Sequence, residues 1–182
     1  MDKWFMTHTS AHRFHVSARW AARLATLLAA ATLAAVTLDA AHAGAAPPAT
    51  NCFVNGQRQP GPEIYGTAGD DDIQCDRLDS GDVIFGHHGN DTIRVTYNYA
   101  GVINGGNGRD TIRLEEENTG LIQAGDGRDD VIASYNNGRF GRIHGNTGDD
   151  EIQVLLNHGQ VDGGPDNDVC RVNEGTVLNC NP

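Results

Sequence analysis

The chain has 182 residues, with 13 Lys plus Arg against 24 Asp plus Glu and a formal net charge of −11. That balance argues against nucleic acid and anionic membrane surfaces as partners, because their binders carry basic patches. Aromatic residues make up only 6%, which leaves little bulky material for a conventional globular core.

Residues 1–43 do not read as part of a domain. Lys3, Arg13, Arg19 and Arg23 form a positive leader. An apolar run of Ala, Leu, Val and Thr follows from Leu24 to Leu38, and Ala41-His42-Ala43 offers small residues at the positions a signal peptidase reads. This pattern predicts a secretory signal cleaved before Gly44. The apolar run is short for a bilayer, which needs ~20 residues, so no membrane span is expected and the protein is expected to be extracellular. From Gly44 onward nine arginines face 22 acidic residues, a net charge of −13.

Residues 44–62 read as a flexible Ala/Pro-rich lead-in and an N-terminal cap. All four cysteines, Cys52, Cys75, Cys170 and Cys180, lie past the leader. An even count in an exported chain reads as two disulfides. Of the three connectivities, proximity in sequence favours Cys52–Cys75 and Cys170–Cys180, one staple near each end. A four-cysteine zinc site would need pairs spaced as C-x-x-C, and none is.

Residues 63–172 repeat. Six turns align: Gly66 to Asp71, Gly86 to Asp91, Gly105 to Asp110, Ala124 to Asp129, Gly145 to Asp150 and Gly163 to Asp168. The closing aspartates are 20, 19, 19, 21 and 18 residues apart. Two and four residues after each aspartate come Ile73 and Cys75, Ile93 and Val95, Ile112 and Leu114, Val131 and Ala133, Ile152 and Val154, Cys170 and Val172. A third apolar column precedes the turns: Ile64, Ile84, Ile103, Ile122, Ile143 and Val161. Alternation of this kind marks short strands with one buried face. Two short strands cannot form a stable sheet alone, but stacked coils pair each strand with its equivalents ~4.8 Å away. The expected fold is all-β, a parallel β-roll or β-solenoid of about six coils, with residues 173–182 as a C-terminal cap. An antiparallel sandwich gives no reason for three apolar columns in register.

Stacking sets Asp71, Asp91, Asp110, Asp129, Asp150 and Asp168 in one column along one edge. Carboxylates held one strand spacing apart repel, and a divalent cation between turns reverses that. Hard oxygen ligands on flexible loops suit calcium better than magnesium. Six turns leave five gaps, hence up to about five calcium ions. The residues assigned to them are Gly66, Ala68 and Asp71; Gly86, His88 and Asp91; Gly105, Asn107 and Asp110; Ala124, Asp126 and Asp129; Gly145, Thr147 and Asp150; and Gly163 with Asp168.

The octets at 66–73, 86–93 and 105–112 keep Gly at positions one and four, Asp at six and Ile at eight. They resemble the repeats-in-toxin (RTX) nonapeptide G-G-x-G-x-D-x-U-x. That resemblance implies a calcium-binding turn followed by a β-roll strand over residues 64–172. The end pieces are similar to those of small secreted calcium-binding proteins of actinobacterial type. Rolls of the family commonly carry the motif on both edges, whereas the opposite turns here, such as Thr96–Ala100 and Glu115–Thr119, lack the glycines. Ala124 at position one and Asp166 at position four depart from the pattern.

Other groups are given lesser roles. Glu115, Glu116 and Glu117 read as a solvated turn, and His87 and His88 as poor zinc ligands. Asp79, Asp82 and Asp162 are acidic neighbours that could tune affinity. The repeat accounts for the aspartates, and no G-x-S-x-G or H-E-x-x-H motif occurs, so no enzyme is expected. The expected protein is a monomer whose folding is coupled to calcium, with a cell-surface glycan or protein, or a secreted enzyme, as the alternative partner.

Overall fold

A computed structural model describes residues 50–181. The leader, the cleavage site and most of the lead-in lie outside the described residues. The described chain is a parallel β-solenoid of about six coils, built from two sheets. The first sheet holds β1 (Cys52–Val54), β2 (Gln57–Gln59), β4 (Asp72–Leu78), β6 (Thr92–Asn98), β8 (Thr111–Asn118), β10 (Asp130–Asn136), β12 (Glu151–Asn157) and β14 (Val169–Val172). The second holds β3 (Glu63–Tyr65), β5 (Val83–Phe85), β7 (Val102–Asn107), β9 (Leu121–Asp126), β11 (Arg142–Thr147), β13 (Gln160–Asp162) and β15 (Thr176–Leu178). No helix among the described residues is long and apolar enough to cross a membrane.

The apolar columns stack as their periodicity requires. Ile73, Ile93, Ile112, Val131 and Ile152 are register partners in the first sheet. Ile64, Ile84, Ile103, Ile122, Ile143 and Val161 are partners in the second. All are at most 1% exposed. Burying one such side chain contributes ~1.5–3 kcal/mol, and the two columns face each other across a core one side chain deep on each side.

Both ends are closed, and both disulfides form as proximity in sequence favoured. At the first end β1 and β2 make an antiparallel hairpin against β4, with Cys52 directly opposite Cys75 and bonded to it. The hairpin does not pair with β3. There the Gln59 side-chain amide accepts from the Tyr65 N–H and donates to the Tyr65 carbonyl, each at 3.0 Å. A side chain thus stands in for the missing strand and blunts an open sheet edge. At the other end the Cys170–Cys180 disulfide ties down the tail, and the Asn181 N–H donates to the Asp168 carbonyl at 2.7 Å.

The corners opposite the aspartates differ from expectation. Turns were expected over Thr96–Ala100 and Glu115–Thr119, but β6 runs to Asn98 and β8 to Asn118, leaving corners of only three and two residues. The cause is a ladder of buried asparagines. Asn98, Asn118, Asn136 and Asn157 are each 0% exposed. The Nδ2 of each donates to the Oδ1 of the next at 2.9, 2.8 and 2.7 Å, and Asn157 ends the ladder on the Glu174 carbonyl. Their Oδ1 atoms also accept the N–H of Gly101, Gly120 and Gly159. β8 carries one more residue than β10, and a bulge in β8 between Leu114 and Glu117, opposite Ala133 and Tyr135, absorbs it, so Asn118 still meets Asn136. Bulges take up an extra residue in this way, and here the bulge keeps the ladder in register.

Candidate metal centre

The six aspartates at the turn ends stand in one column, all at most 4% exposed. One oxygen of each aspartate from Asp91 onward is tied to the column. Oδ1 of Asp91 accepts the backbone N–H of Asp71 at 2.9 Å, and the pattern repeats from Asp91 to Asp110, Asp110 to Asp129, Asp129 to Asp150 and Asp150 to Asp168 at 2.8–2.9 Å. The carboxylates thus extend the sheet hydrogen bonding around the turn.

The second oxygen is not tied. Oδ2 of Asp91, Asp110, Asp129, Asp150 and Asp168 is buried with no hydrogen-bond partner. A buried carboxylate oxygen without a donor is costly, and its protonation answers to that cost. Burial pushes the carboxyls of Asp91 and Asp150 up to about 7 and that of Asp129 up to about 6. The backbone N–H bonds pull the other way, and neighbouring aspartates add to the rise. Asp110 and Asp168 are raised as well, burial again being the main cause.

The first-position residues show why five of the six turns carry glycine there. A Cβ on Gly86 would run into both the carbonyl oxygen of Gly105 and Oδ2 of Asp91. The same holds at Gly105 against Ala124 and Asp110, and at Gly145 against Gly163 and Asp150. At these positions an untied carboxylate oxygen and a carbonyl oxygen of the next coil both line the space a Cβ would fill. In the fourth turn the position is Ala124, fully buried, whose methyl stands at the equivalent place in the coil of Asp129. At position four, Gly89, Gly108, Gly127 and Gly148 have φ between +117 and +139°, which a side chain strongly resists. Asp166 takes the same role in the sixth turn with φ 91°.

The ends of the column shift the expected gaps by one coil. Asp71 is not orphaned. Its Oδ2 accepts the Thr67 N–H at 2.6 Å and its Oδ1 accepts Asn55 Nδ2 at 2.5 Å, with the Thr67 hydroxyl also in reach. The first gap is thus met by protein donors. At the far end Asp168 and Gly163 face the Asn179 carbonyl, so the tail supplies a seventh rung. Five untied carboxylates remain, but they face the second gap through to the tail.

Position-three residues Ala68, His88, Asn107, Asp126 and Thr147 all lie on the outside. The carbonyls of Asn107, Asp126 and Thr147 accept the N–H groups of Gly89, Gly108 and Gly127 at 2.8–3.0 Å. Each of these oxygens accepts one ladder bond and keeps a second lone pair, whereas the Asp Oδ2 atoms accept none. Among the described residues no three His, Cys, Asp or Glu side chains gather around one point. One carboxylate per coil cannot make such a group, and any ion in the column would draw its remaining ligands from backbone oxygen. Calcium tolerates this mixture, and a row of acceptors lacking donors fits a cation.

Three acidic neighbours have other work. Asp82 is buried under the N-terminal cap, accepting from the Thr50 hydroxyl at 2.6 Å and the Asp79 N–H at 2.8 Å. Asp79 pairs with Arg77, and Asp162 accepts from Asn179 Nδ2. His87 packs with Tyr65 and Phe85, and His88 meets Asn107. The asparagine ladder and Thr67 were not singled out in the sequence. A signal was there: Asn follows the turn aspartate by seven or eight residues in four successive coils.

No protein-family model, curated protein or solved structure matches the chain.

Proposed function

We propose that the protein is a secreted calcium-binding β-roll of the RTX kind, in which the aspartate column binds the ions. One observation carries the reading: five buried carboxylate oxygens in register, each without a donor. Unsatisfied buried polar atoms are rare in native folds, and five in one column suit a cation. Asp91, Asp110, Asp129, Asp150 and Asp168 would supply the charged oxygens, and carbonyls of the first-position residues neutral ones. Bound calcium supplies positive charge to a column that otherwise repels itself. The two disulfides accord with an oxidising, extracellular setting.

The ligand column exists only when coils are stacked, so calcium binding and folding are linked. Calorimetric titration of the protein with calcium tests the reading. About five ions are expected, at affinities of ~0.1–1 mM typical of extracellular modules. No binding at millimolar calcium would remove the proposal.

A further inference from the structure

The outer face of the second sheet carries a feature that calcium does not explain. Along the row nearest the aspartate edge, Tyr65, Phe85, Asn104, Gln123 and His144 are successive register partners. Two residues further on in each coil come His87, Gly106, Gly125 and Asn146. The two glycines leave a gap in the side-chain row. That gap is a groove of about 490 Å³, floored by Gly106 and Gly125, with Phe85 and His87 at one end and Asn146 at the other.

The walls are chemically selective. Tyr65, Phe85 and His87 form a cluster of near-parallel rings, with centroids 5.4–6.0 Å apart and planes within 19°. Asn104 and Gln123 are half-buried, and among the described residues their side-chain amides make no hydrogen bond. No lysine or arginine lines the groove. His87 and Asn146 hold φ of 80 and 76°, an unusual conformation for residues other than glycine and one that concentrates at binding sites. A second groove of about 420 Å³ continues from Asn146 past His144 toward Asp162 and Gly164. Nε2 of His144 is buried without a partner.

We infer that this groove binds a linear, neutral saccharide chain. An amide both donates and accepts, as a hydroxyl does, so free Asn and Gln amides match a row of sugar hydroxyls. Aromatic rings pack the apolar C–H faces of a sugar. The absence of lysine and arginine from the first groove, which also holds the Asp126 carboxylate, on a chain of net charge −11, disfavours phosphate, sulfate or uronate. Two hollows in line along the solenoid suit an extended chain rather than a compact ligand. The volume of the first lies within the ~300–1,000 Å³ of small-ligand sites. This inference stands apart from the calcium reading, because its residues act through side chains that face outward from the column.

The test is NMR titration of the ¹⁵N-labelled protein in calcium with cellohexaose, chitohexaose and laminarihexaose, and with polygalacturonate as the anionic comparison. At least one neutral hexasaccharide is expected to shift the side-chain amide signals of Asn104 and Gln123 in a saturable way. The double variant N104A/Q123A and the single variant F85A should each weaken that binding roughly tenfold, the scale of losing a pair of hydrogen bonds or a stacking face. Circular dichroism of both variants separates this from misfolding, and none of the three residues belongs to the aspartate column. The inference is overturned if none of the three sugars shifts these signals, if folded N104A/Q123A binds undiminished, or if polygalacturonate binds in preference.

Discussion

The solenoid has two edges, and each is lined by a buried polar column. On one edge Asn98, Asn118, Asn136 and Asn157 stack; on the other, Asp91, Asp110, Asp129, Asp150 and Asp168. The side chains are nearly the same size and both columns follow the coil repeat. They differ by one chemical group. An amide has donors and acceptors, so each asparagine satisfies the next and the column closes on itself without charge. A carboxylate only accepts. Its Oδ1 finds a backbone N–H from the neighbouring coil, and its Oδ2 finds nothing. The asparagine edge is a finished structural element; the aspartate edge is complete only with a proton or a cation.

The largest expected effect comes from withdrawing the proposed calcium. Each unpaired buried carboxylate costs several kcal/mol, and five of them match the ~5–15 kcal/mol that holds a domain together. Chelation at pH 8 should therefore abolish the β circular dichroism signal, and calcium should restore it. The aspartate carboxyls are held above their ordinary range in the fold, so the folded state binds protons more tightly than the unfolded chain. Calcium-free stability is then fully present below about pH 4 and lost as pH rises through the folded values of about 6 to about 7. A chelated protein that stays folded at pH 8 would show that the two edges are equally self-sufficient.

Next in size is a break in the asparagine ladder. N118L removes the acceptor for Asn98 and the donor for Asn136. With the Gly120 N–H, which loses its acceptor too, three orphaned groups at ~1–3 kcal/mol each predict a loss of ~3–9 kcal/mol in urea unfolding with calcium present. Leucine already stands at this place in the first coil, where Leu78 pairs with Asn98 at 0% exposure. The cost therefore belongs to the broken ladder and not to leucine itself.

D110N turns one rung of the charged edge into a copy of the neutral one. Without calcium, at about pH 6 where the column is still partly protonated and the chain folded, it should raise the melting temperature by a few degrees, about 1 kcal/mol at this size, because a partly charged buried group is gone while Oδ1 still accepts the Asp91 N–H. With calcium it should do the reverse, and calorimetry should show one to two fewer ions, since Asp110 borders two gaps. The smallest effect is expected at Glu115 and Glu116, both exposed on the first sheet. E115Q/E116Q should change stability and calcium stoichiometry within ~0.5 kcal/mol and less than one ion, keeping the ion-binding charge to the buried column.

The repeat alone determined a great deal. The spacing of Asp71 through Asp168 and the three apolar columns required stacked parallel coils, because a strand with alternating burial must keep its face and its register. The same spacing put the aspartates in one column, and nearness in sequence singled out both disulfides among three pairings. What stayed hidden was decided by atoms from neighbouring coils. Asn98 and Asn118 sit among polar residues in their strands, so they read as turn until stacking buries each against its equivalent. Thr67 gave no sign that it would satisfy Asp71, nor Asn179 that its carbonyl would make a seventh rung. The groove arises because Gly106 and Gly125 fall in adjacent coils between His87 and Asn146, residues far apart along the chain. Periodicity fixes which residues share a column, since it acts through the chain's own geometry. Whether a column's hydrogen bonds close or stay open depends on donors and acceptors one coil away, and only the tertiary structure brings those together.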